Sequence, residues 1–236
     1  MRSQINELVR TSPDIIVVNS TPALDEAHAA TRTIPVIFIL AVDPVELGYI
    51  QSLARPGGNI TGFPYWDVTL IGKWLQLLKE VSPEIERATV IHNPATTPFY
   101  PALLKVADGL AQSHGIRLSR VEVREAGEIE PAIRAIAREP RSSLVNGSDP
   151  FLFENRKMIA DTAIAVRLPL ISIYRAFADA GALMTYGPDT VNVYREGAGY
   201  VSRVLKGANP GELPAQAPTK YEFVLNGGTA ARLGLA

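Results

Sequence analysis

The sequence contains no cysteine among its 236 residues. This absence excludes disulfide bonds, thiolate nucleophiles, iron–sulfur clusters and cysteine-ligated zinc. An excess of charge of one sign is also lacking, because the formal net charge is -1 and no basic block occurs. The sequence therefore does not have the electrostatic signature of a nucleic-acid-binding or lipid-surface protein, and no nucleic-acid partner is expected.

Long apolar runs are absent as well. No segment approaches the roughly 20 apolar residues of a membrane-spanning helix. The N-terminal segment 1–8 is polar and helix-like, and it lacks the apolar core of a secretory signal. The chain as given is therefore expected to carry no signal peptide.

Motifs for catalysis and metal binding are also missing. There is no G-x-S-x-G elbow, no H-E-x-x-H helix and no carboxylate pair in a context that suggests acid and base roles. Only one of the three histidines, His92, falls at a predicted strand end, whereas a metal site needs several converging ligands. We therefore expect no metal and no cofactor, and a binding protein rather than an enzyme.

Short β-branched segments alternate with helical patterns along the chain, which predicts an α/β fold with parallel sheets flanked by helices. The predicted strands are 14–19, 35–40, 59–63, 87–92, 117–123, 143–146, 168–173, 181–187 and 221–226. The predicted helices are 22–31, 45–54, 69–81, 99–114, 129–139, 154–167 and 191–206. Two similar lobes are expected, one of residues 1-84 plus 178-206 and the other of residues 85-177 plus 207-236.

Ligands of open α/β sheets bind beyond the carboxyl ends of the strands, so the loops that follow strands are the candidate sites. Ser20 and Thr21 lie where a strand gives way to a helix, and the free N–H groups there suit a carboxylate. A plain helix cap is the equal alternative. Asp43, after the second strand, offers an acceptor for an ammonium group, although Asp-Pro also opens ordinary turns.

The second lobe offers equivalent positions. Asn93 and Asp149 follow two of its strands, and Asp149 is the alternative to Asp43 for an amino group. Tyr174 ends another strand and could pack its ring against a ligand side chain, with hinge packing as the alternative. Trp66 follows a loop and is left unassigned.

One glycine-rich segment, 55–62, resembles a phosphate-binding loop at first sight. It has neither the lysine nor the spacing of a P-loop, and it does not match G-x-G-x-x-G. A structural turn is the expected role.

The chain resembles the substrate-binding proteins of ABC transporters, in the group that includes tryptophan- and tyrosine-binding members. Residues 33–44, SLARPGGNITG (52–62), AGALMTYGP (180–188) and VLKGANPGELP (204–214), continuing to 218–222, carry this resemblance. It implies a two-lobed type I periplasmic-binding-protein fold that closes on a small ligand. An amino acid or related small carboxylate, delivered to membrane permease subunits, is the implied ligand. The implied location is periplasmic or extracellular, with membrane anchoring.

Members of that family usually begin with a signal or lipid anchor and about two βα units of roughly 30 residues each before the helix that opens this chain. The sequence given begins at that helix. Without the two βα units, the sheet of the first lobe is expected to have an exposed edge, through which copies could associate. Two other functions stay open: a ligand-sensing regulatory module of the same fold, and a small α/β enzyme such as an isomerase. The ligand's identity and the oligomeric state do not follow from the sequence.

Overall fold

A computed structural model describes residues 2–65 and 69–235, and within them strands and helices alternate as the sequence predicts. The strands are β1 (Ile16–Asn19), β2 (Val36–Ala41), β3 (Ile60–Pro64), β4 (Arg87–His92), β5 (Arg117–Glu122), β6 (Ser142–Asn146), β7 (Leu170–Ser172), β8 (Met184–Pro188) and β9 (Tyr221–Leu225). The helices are α1 (Arg2–Arg10), α2 (Thr21–Ala30), α3 (Thr69–Val81), α4 (Tyr100–Ser113), α5 (Ala126–Ile136), α6 (Pro150–Glu154), α7 (Arg156–Ala165), α8 (Arg175–Ala180), α9 (Thr190–Leu205) and α10 (Gly227–Leu233). The α/β class is thereby confirmed.

The first of two compact units comprises Met1–Asp67 and Pro188–Tyr221. Its parallel sheet has the order β1-β2-β3. All six residues of β2 are buried, as expected for the central strand of a parallel sheet that is covered on both faces. Helix α9 packs on this sheet so closely that a Cβ on Gly197 would lie 2.7 Å from Ile39 Cδ1.

Strand β1 lies at the edge of that sheet in the described part of the chain. Its side chains alternate between buried and exposed, and Val17 is 49 % exposed. Edge strands associate through their unpaired backbone N–H and C=O groups, and an exposed apolar side chain favours such pairing. The association of copies through this edge stays a prediction.

The second unit comprises Val68–Gly187 and Glu222–Ala236. Its six-stranded sheet has the order β5-β4-β6-β7-β8-β9, and the pairs from β5 to β8 are parallel. Helices α5, α7 and α8 bury one apolar cluster, while α3 and α4 pack against each other. This order places the carboxyl ends of β4, β6 and β7 side by side.

The unit boundaries differ from the predicted lobes in three segments, one of which is residues 178–187, predicted for the first lobe but part of the second unit. Helix α3 belongs to the second unit, because it packs against α4 and Trp74 Nε1 donates a 2.7 Å hydrogen bond to the Tyr186 carbonyl. The segment that follows α9 belongs to the first unit. There Thr61 Oγ1 donates to the Leu213 carbonyl at 2.6 Å, which fixes that segment beside β3.

Three local predictions need correction. Residues 45–54 are not a helix but a series of turns in which Gly48 has a φ of 75°. The helix predicted from residue 154 begins earlier, at Pro150, and is interrupted at Asn155. Helices α8 and α10 were not predicted, and Trp66 lies outside the described residues. No described helix combines the length and the apolar character that crossing a membrane requires.

Candidate functional site

In the first unit, two hydrogen bonds join the residues that follow β1 to β2 and to the residue directly after it. Ser20 N donates to the Ile39 carbonyl at 3.1 Å, and Val42 N donates to Thr21 Oγ1 at 2.9 Å. Asp43 directly follows Val42. The structure therefore brings the three residues predicted for this lobe, Ser20, Thr21 and Asp43, to one edge of the sheet.

The backbone at this edge is strained. Ser20 and Leu40 have φ values of 85° and 61°, in the region that L-residues other than Asn and Asp rarely occupy, whereas Asp43, at 44°, is of a residue type that tolerates it. A bulge lies between Ile39 and Ala41 in the pairing of β2 with β3. Strained backbone and bulges concentrate at functional sites, where they redirect side chains.

Ser20 stands at the cap position of α2, but its side chain makes no capping hydrogen bond. The alternative that the Ser20 side chain simply caps α2 is therefore wrong. Thr21 is buried, and its hydroxyl oxygen accepts the Val42 bond, so this side chain has a structural role.

Asp43 is half-buried, and its carbonyl accepts from Leu47 N at 3.0 Å, so the Asp43-Pro44 pair does open a turn. The residue also lines a pocket of about 240 Å³ within the same unit, together with Pro64, Pro218 and Tyr221. The turn and a role in binding therefore do not exclude each other.

In the second unit, Asp149 is the centre of a hydrogen-bonding cluster. Its Oδ2 accepts from Asn93 N at 2.7 Å and from Thr97 Oγ1 at 3.4 Å. Its Oδ1 accepts from Thr96 Oγ1 at 2.8 Å and from the N–H groups of Phe151 and Leu152 at 2.9 and 3.3 Å. The carboxylate caps α6 and ties it to the loop after β4.

This cluster corrects the prediction for two residues. Asp149 is 0 % exposed and its carboxylate is already surrounded by five protein donors, so no room is left for a ligand amino group. Asn93 is 4 % exposed, and its side chain bonds the Arg124 carbonyl at 3.2 Å and Ala95 N at 2.8 Å. Both residues hold the strand ends in position.

Tyr174 is different, because it is half-buried at the end of β7. Its hydroxyl lies 3.0 Å from Ser148 Oγ, and its ring meets the Phe153 ring edge to face at a centroid distance of 5.0 Å. The Arg156 guanidinium lies 4.8 Å from the Phe153 centroid and donates to the Phe153 carbonyl. A pair of rings, a hydroxyl and a cation thus lie together beside the ends of β6 and β7.

Beneath this group, His92 stacks on Tyr100 with centroids 5.3 Å apart. His92 is 0 % exposed, and its Nε2 has no hydrogen-bond partner within the described ranges. Burial lowers the pKa of His92 below its usual value, despite the opposing effect of Glu122 and Asp149. The described residues hold no cluster of metal-ligating side chains, and His92 is a neutral core residue.

The sequence reasoning missed Phe153 and Arg156, and it did not single out Ser148, which directly precedes Asp149. The signal for Phe153 was present, because Asp149-Pro150 is a helix start with proline in the first turn and it places Phe153 one turn into α6. The pairing of Phe153 with Tyr174 depends on β6 lying next to β7, which no local pattern reveals.

The solved structures that this chain matches share its fold. A conserved domain protein from Vibrio cholerae matches with a TM-score of 0.91 and 25% identity, covering 100% of this chain and 78% of that one. The "ABC domain in complex with L-Trp" from Streptococcus pneumonia also matches with a TM-score of 0.91, at 20% identity and the same coverage. Together with solute-binding proteins of lower similarity, they confirm the type I periplasmic-binding-protein fold.

Sequence comparison leads in the same direction. The "Tyrosine-binding protein" of Clostridioides difficile is 25% identical over 234 residues, which are 99% of this chain and 67% of that protein. The family described as ABC transporter substrate binding protein matches residues 2–236. The chain therefore belongs to the family of ABC transporter substrate-binding proteins.

Proposed function

We propose that this protein is the solute-binding component of an ABC importer and that its ligand is an aromatic amino acid. The observation that carries the choice of ligand is the half-buried ring pair of Phe153 and Tyr174 beside the strand ends of the second unit. Offset and edge-to-face contacts with a third ring add about 0.5–1.5 kcal/mol beyond the area that they bury.

Polar groups near the rings suit the rest of such a ligand. The Ser148 and Tyr174 hydroxyls bond each other and can each accept a further hydrogen bond. Arg156 uses one of its five N–H donors on the Phe153 carbonyl, and the remaining donors can bond a polar group of the ligand. A binding role is thus proposed for Tyr174, which the sequence predicted, and for Ser148, Phe153 and Arg156, to which it assigned no role.

The first unit offers a second set. We assign the start of α2 at Ser20 and Thr21 to a ligand carboxylate and Asp43 to an amino group, the charge pattern of a free amino acid. The supporting observations are the strained backbone of Ser20 and the absence of a side-chain cap there. Asp149 no longer competes with Asp43 for the amino group, because its carboxylate is fully enclosed.

The relatives support the same ligand class. One is named for binding tyrosine, and one solved structure is described as a complex with L-Trp. Family membership further supports a location outside the cytoplasmic membrane, membrane anchoring, delivery to permease subunits and the absence of catalysis. Uptake of the bound amino acid would be lost in cells that lack this protein, and unchanged uptake would contradict the transport role.

Isothermal titration with L-tyrosine, L-tryptophan and L-leucine tests the ligand class. We expect the aromatic amino acids to bind more tightly than leucine. Phe153→Ala should weaken their binding about tenfold or more, since 1.4 kcal/mol corresponds to a factor of ten. Phe223→Ala removes an exposed ring from β9 in the same unit and serves as the control. Equal affinity in both variants, or no binding of any of the three amino acids, would contradict the proposal.

A further inference from the structure

The first unit has a second pocket at the opposite edge of its sheet. This pocket of about 450 Å³ is lined by the end of α2 and by the loops that precede β2 and β3. Asp43 follows β2, whereas Arg32 precedes it, and a six-residue strand is about 20 Å long. Arg32 therefore lies about one strand length from Asp43, although the wall at Tyr49 is joined to the turn after Asp43 by a 2.9 Å hydrogen bond from Tyr49 N to the Pro44 carbonyl.

The charge of this pocket's lining comes from Arg32. The lining contains no aspartate or glutamate. No ion pair involves Arg32 among the residues that the structure describes. The nearest carboxylate along α2, Asp25, lies outside the lining and accepts a 3.3 Å hydrogen bond from the Tyr49 hydroxyl. Arg32 therefore has no ion-paired partner in the described part of the chain, and a guanidinium is suited to bind the oxygens of a carboxylate or phosphate.

His28 and Tyr49 form one wall, with their rings edge to face at 5.3 Å. Burial lowers the pKa of His28, and the positive charge of Arg32 lowers it further, while Asp25 raises it. Burial, followed by the charge of Asp25, raises the pKa of Tyr49 to about 12, so its hydroxyl stays protonated.

The opposite wall is the glycine-rich segment that has no P-loop spacing. Gly57 has a φ of 81°, and a Cβ there would lie 2.3 Å from the side-chain amide carbon of Gln51. Its N–H donates to the Gly211 carbonyl at 3.0 Å, which anchors the loop. At Gly58 a Cβ would meet nothing within 4 Å, so a ligand can approach the backbone there.

We propose that this pocket binds the phosphate group of a soluble small molecule, with Arg32 as its main ligand and Gln51 and the Gly58 backbone beside it. Arg forms bidentate hydrogen bonds with phosphate oxygens, and glycine lets the backbone come close to them. The pocket exceeds the size of an isolated phosphate ion, which leaves room for a small organic group against the His28 and Tyr49 rings. This proposal does not depend on the amino-acid ligand.

Inorganic phosphate is the probe for the test. Isothermal titration at constant ionic strength compares phosphate with chloride on the unaltered chain and on three variants. Arg32→Gln removes the cation. Gln51→Glu keeps nearly the same side-chain shape but places a negative charge in the lining. Arg55→Gln is the control, because Arg55 is exposed in the same loop but does not line the pocket. We expect phosphate-specific binding that weakens at least tenfold in the first two variants and not in the control.

Circular dichroism of each variant shows whether the fold is retained, which is expected because all three side chains are exposed. Equal phosphate binding by Arg32→Gln and the unaltered chain, or no preference for phosphate over chloride, overturns the proposal. A second arm uses phosphatidylcholine vesicles with and without phosphatidylglycerol to separate a lipid headgroup from a soluble phosphate. Arg32-dependent binding to the anionic vesicles without binding of free phosphate would also overturn it.

Discussion

Replacing Asp149 with asparagine tests whether this carboxylate is a structural centre or a group for ligand binding. Asparagine has nearly the same shape, but it replaces one of the two acceptor oxygens with an NH₂ donor. Oδ1 faces two backbone N–H groups and Oδ2 faces the N–H of Asn93. In either orientation of the new amide, an N–H group would therefore face another N–H group in a buried position.

The expected cost follows from the bonds that are lost. A hydrogen bond to a charged group contributes about 1.5–3 kcal/mol, and leaving a buried donor unsatisfied costs about 1–3 kcal/mol. Depending on the orientation of its amide, Asp149→Asn loses either the 2.7 Å bond from Asn93 N or both bonds from the N–H groups of Phe151 and Leu152. We expect the free energy of unfolding to fall by about 3 kcal/mol, a large part of the roughly 5–15 kcal/mol of a typical domain.

Asp189→Asn is the matched control. Asp189 caps α9 through a single hydrogen bond, from Asn192 N to Oδ1 at 3.0 Å. Asparagine caps helices about as well as aspartate, so the expected change is within about 0.5 kcal/mol. The same chemical substitution thus has a small cost where one acceptor suffices and a large cost where both oxygens are used.

Urea denaturation measures both variants. A Trp66→Phe background leaves Trp74 as the only tryptophan, and Trp74 is buried in the second unit, so its fluorescence reports on that unit. Far-UV circular dichroism follows the whole chain in the same samples. If Asp149→Asn lowers the free energy of unfolding no more than Asp189→Asn does, the assignment of Asp149 as the structural centre is wrong.

Two further substitutions have expected outcomes. Gly147→Ala would place a Cβ 2.0 Å from the buried Tyr100 hydroxyl oxygen, so we expect the free energy of unfolding in urea denaturation to fall by about 1–3 kcal/mol. In the control Gly127→Ala, the new Cβ meets nothing within 4 Å, so the protein should not be destabilised. Equal effects of the two substitutions would contradict the packing argument. Burial lowers the pKa of His92 in the folded chain below the usual 6.5. Between pH 6.5 and this lower pKa, His92 is therefore protonated in the unfolded chain but not in the folded chain. The free energy of unfolding should therefore decrease through that window, and less so in His92→Gln; identical pH profiles would refute this.

The regular elements were predictable where local pattern and tertiary environment agree. The helix predicted at 69–81 and the strand predicted at 87–92 coincide with α3 and β4. In α3 the apolar residues that define the helical period are the ones buried, including Leu70, Trp74 and Leu78. In such segments, the same side chains that favour the local conformation also form the core, so the sequence contains both kinds of information.

The segment 45–54 shows where this agreement fails. Its apolar residues have helical spacing, but Leu47 and Leu53 are 37 % and 40 % exposed. The backbone is fixed instead by the turn at Gly48 and by a hydrogen bond from Ala215 N to the Leu53 carbonyl at 2.7 Å. That partner lies far along the chain, so periodicity within ten residues could not have revealed it.

The candidate site shows a related limit. Asn93, Asp149 and Tyr174 were predicted by one rule, that polar residues after parallel strands lie at the ligand-binding edge, and all three do lie at such ends. Two of them form a fully enclosed layer that fixes the loops, and only Tyr174 belongs to a half-buried layer with Phe153. Residue type and strand position do not distinguish these layers, because the distinction comes from which neighbouring strand supplies the hydrogen-bond donors.

The enclosed layer has a function of its own: by holding α6 against the loop after β4, it fixes the helix from which Phe153 projects. A loss of ligand affinity in an Asp149 variant would therefore reflect displacement of that ring rather than loss of a direct contact.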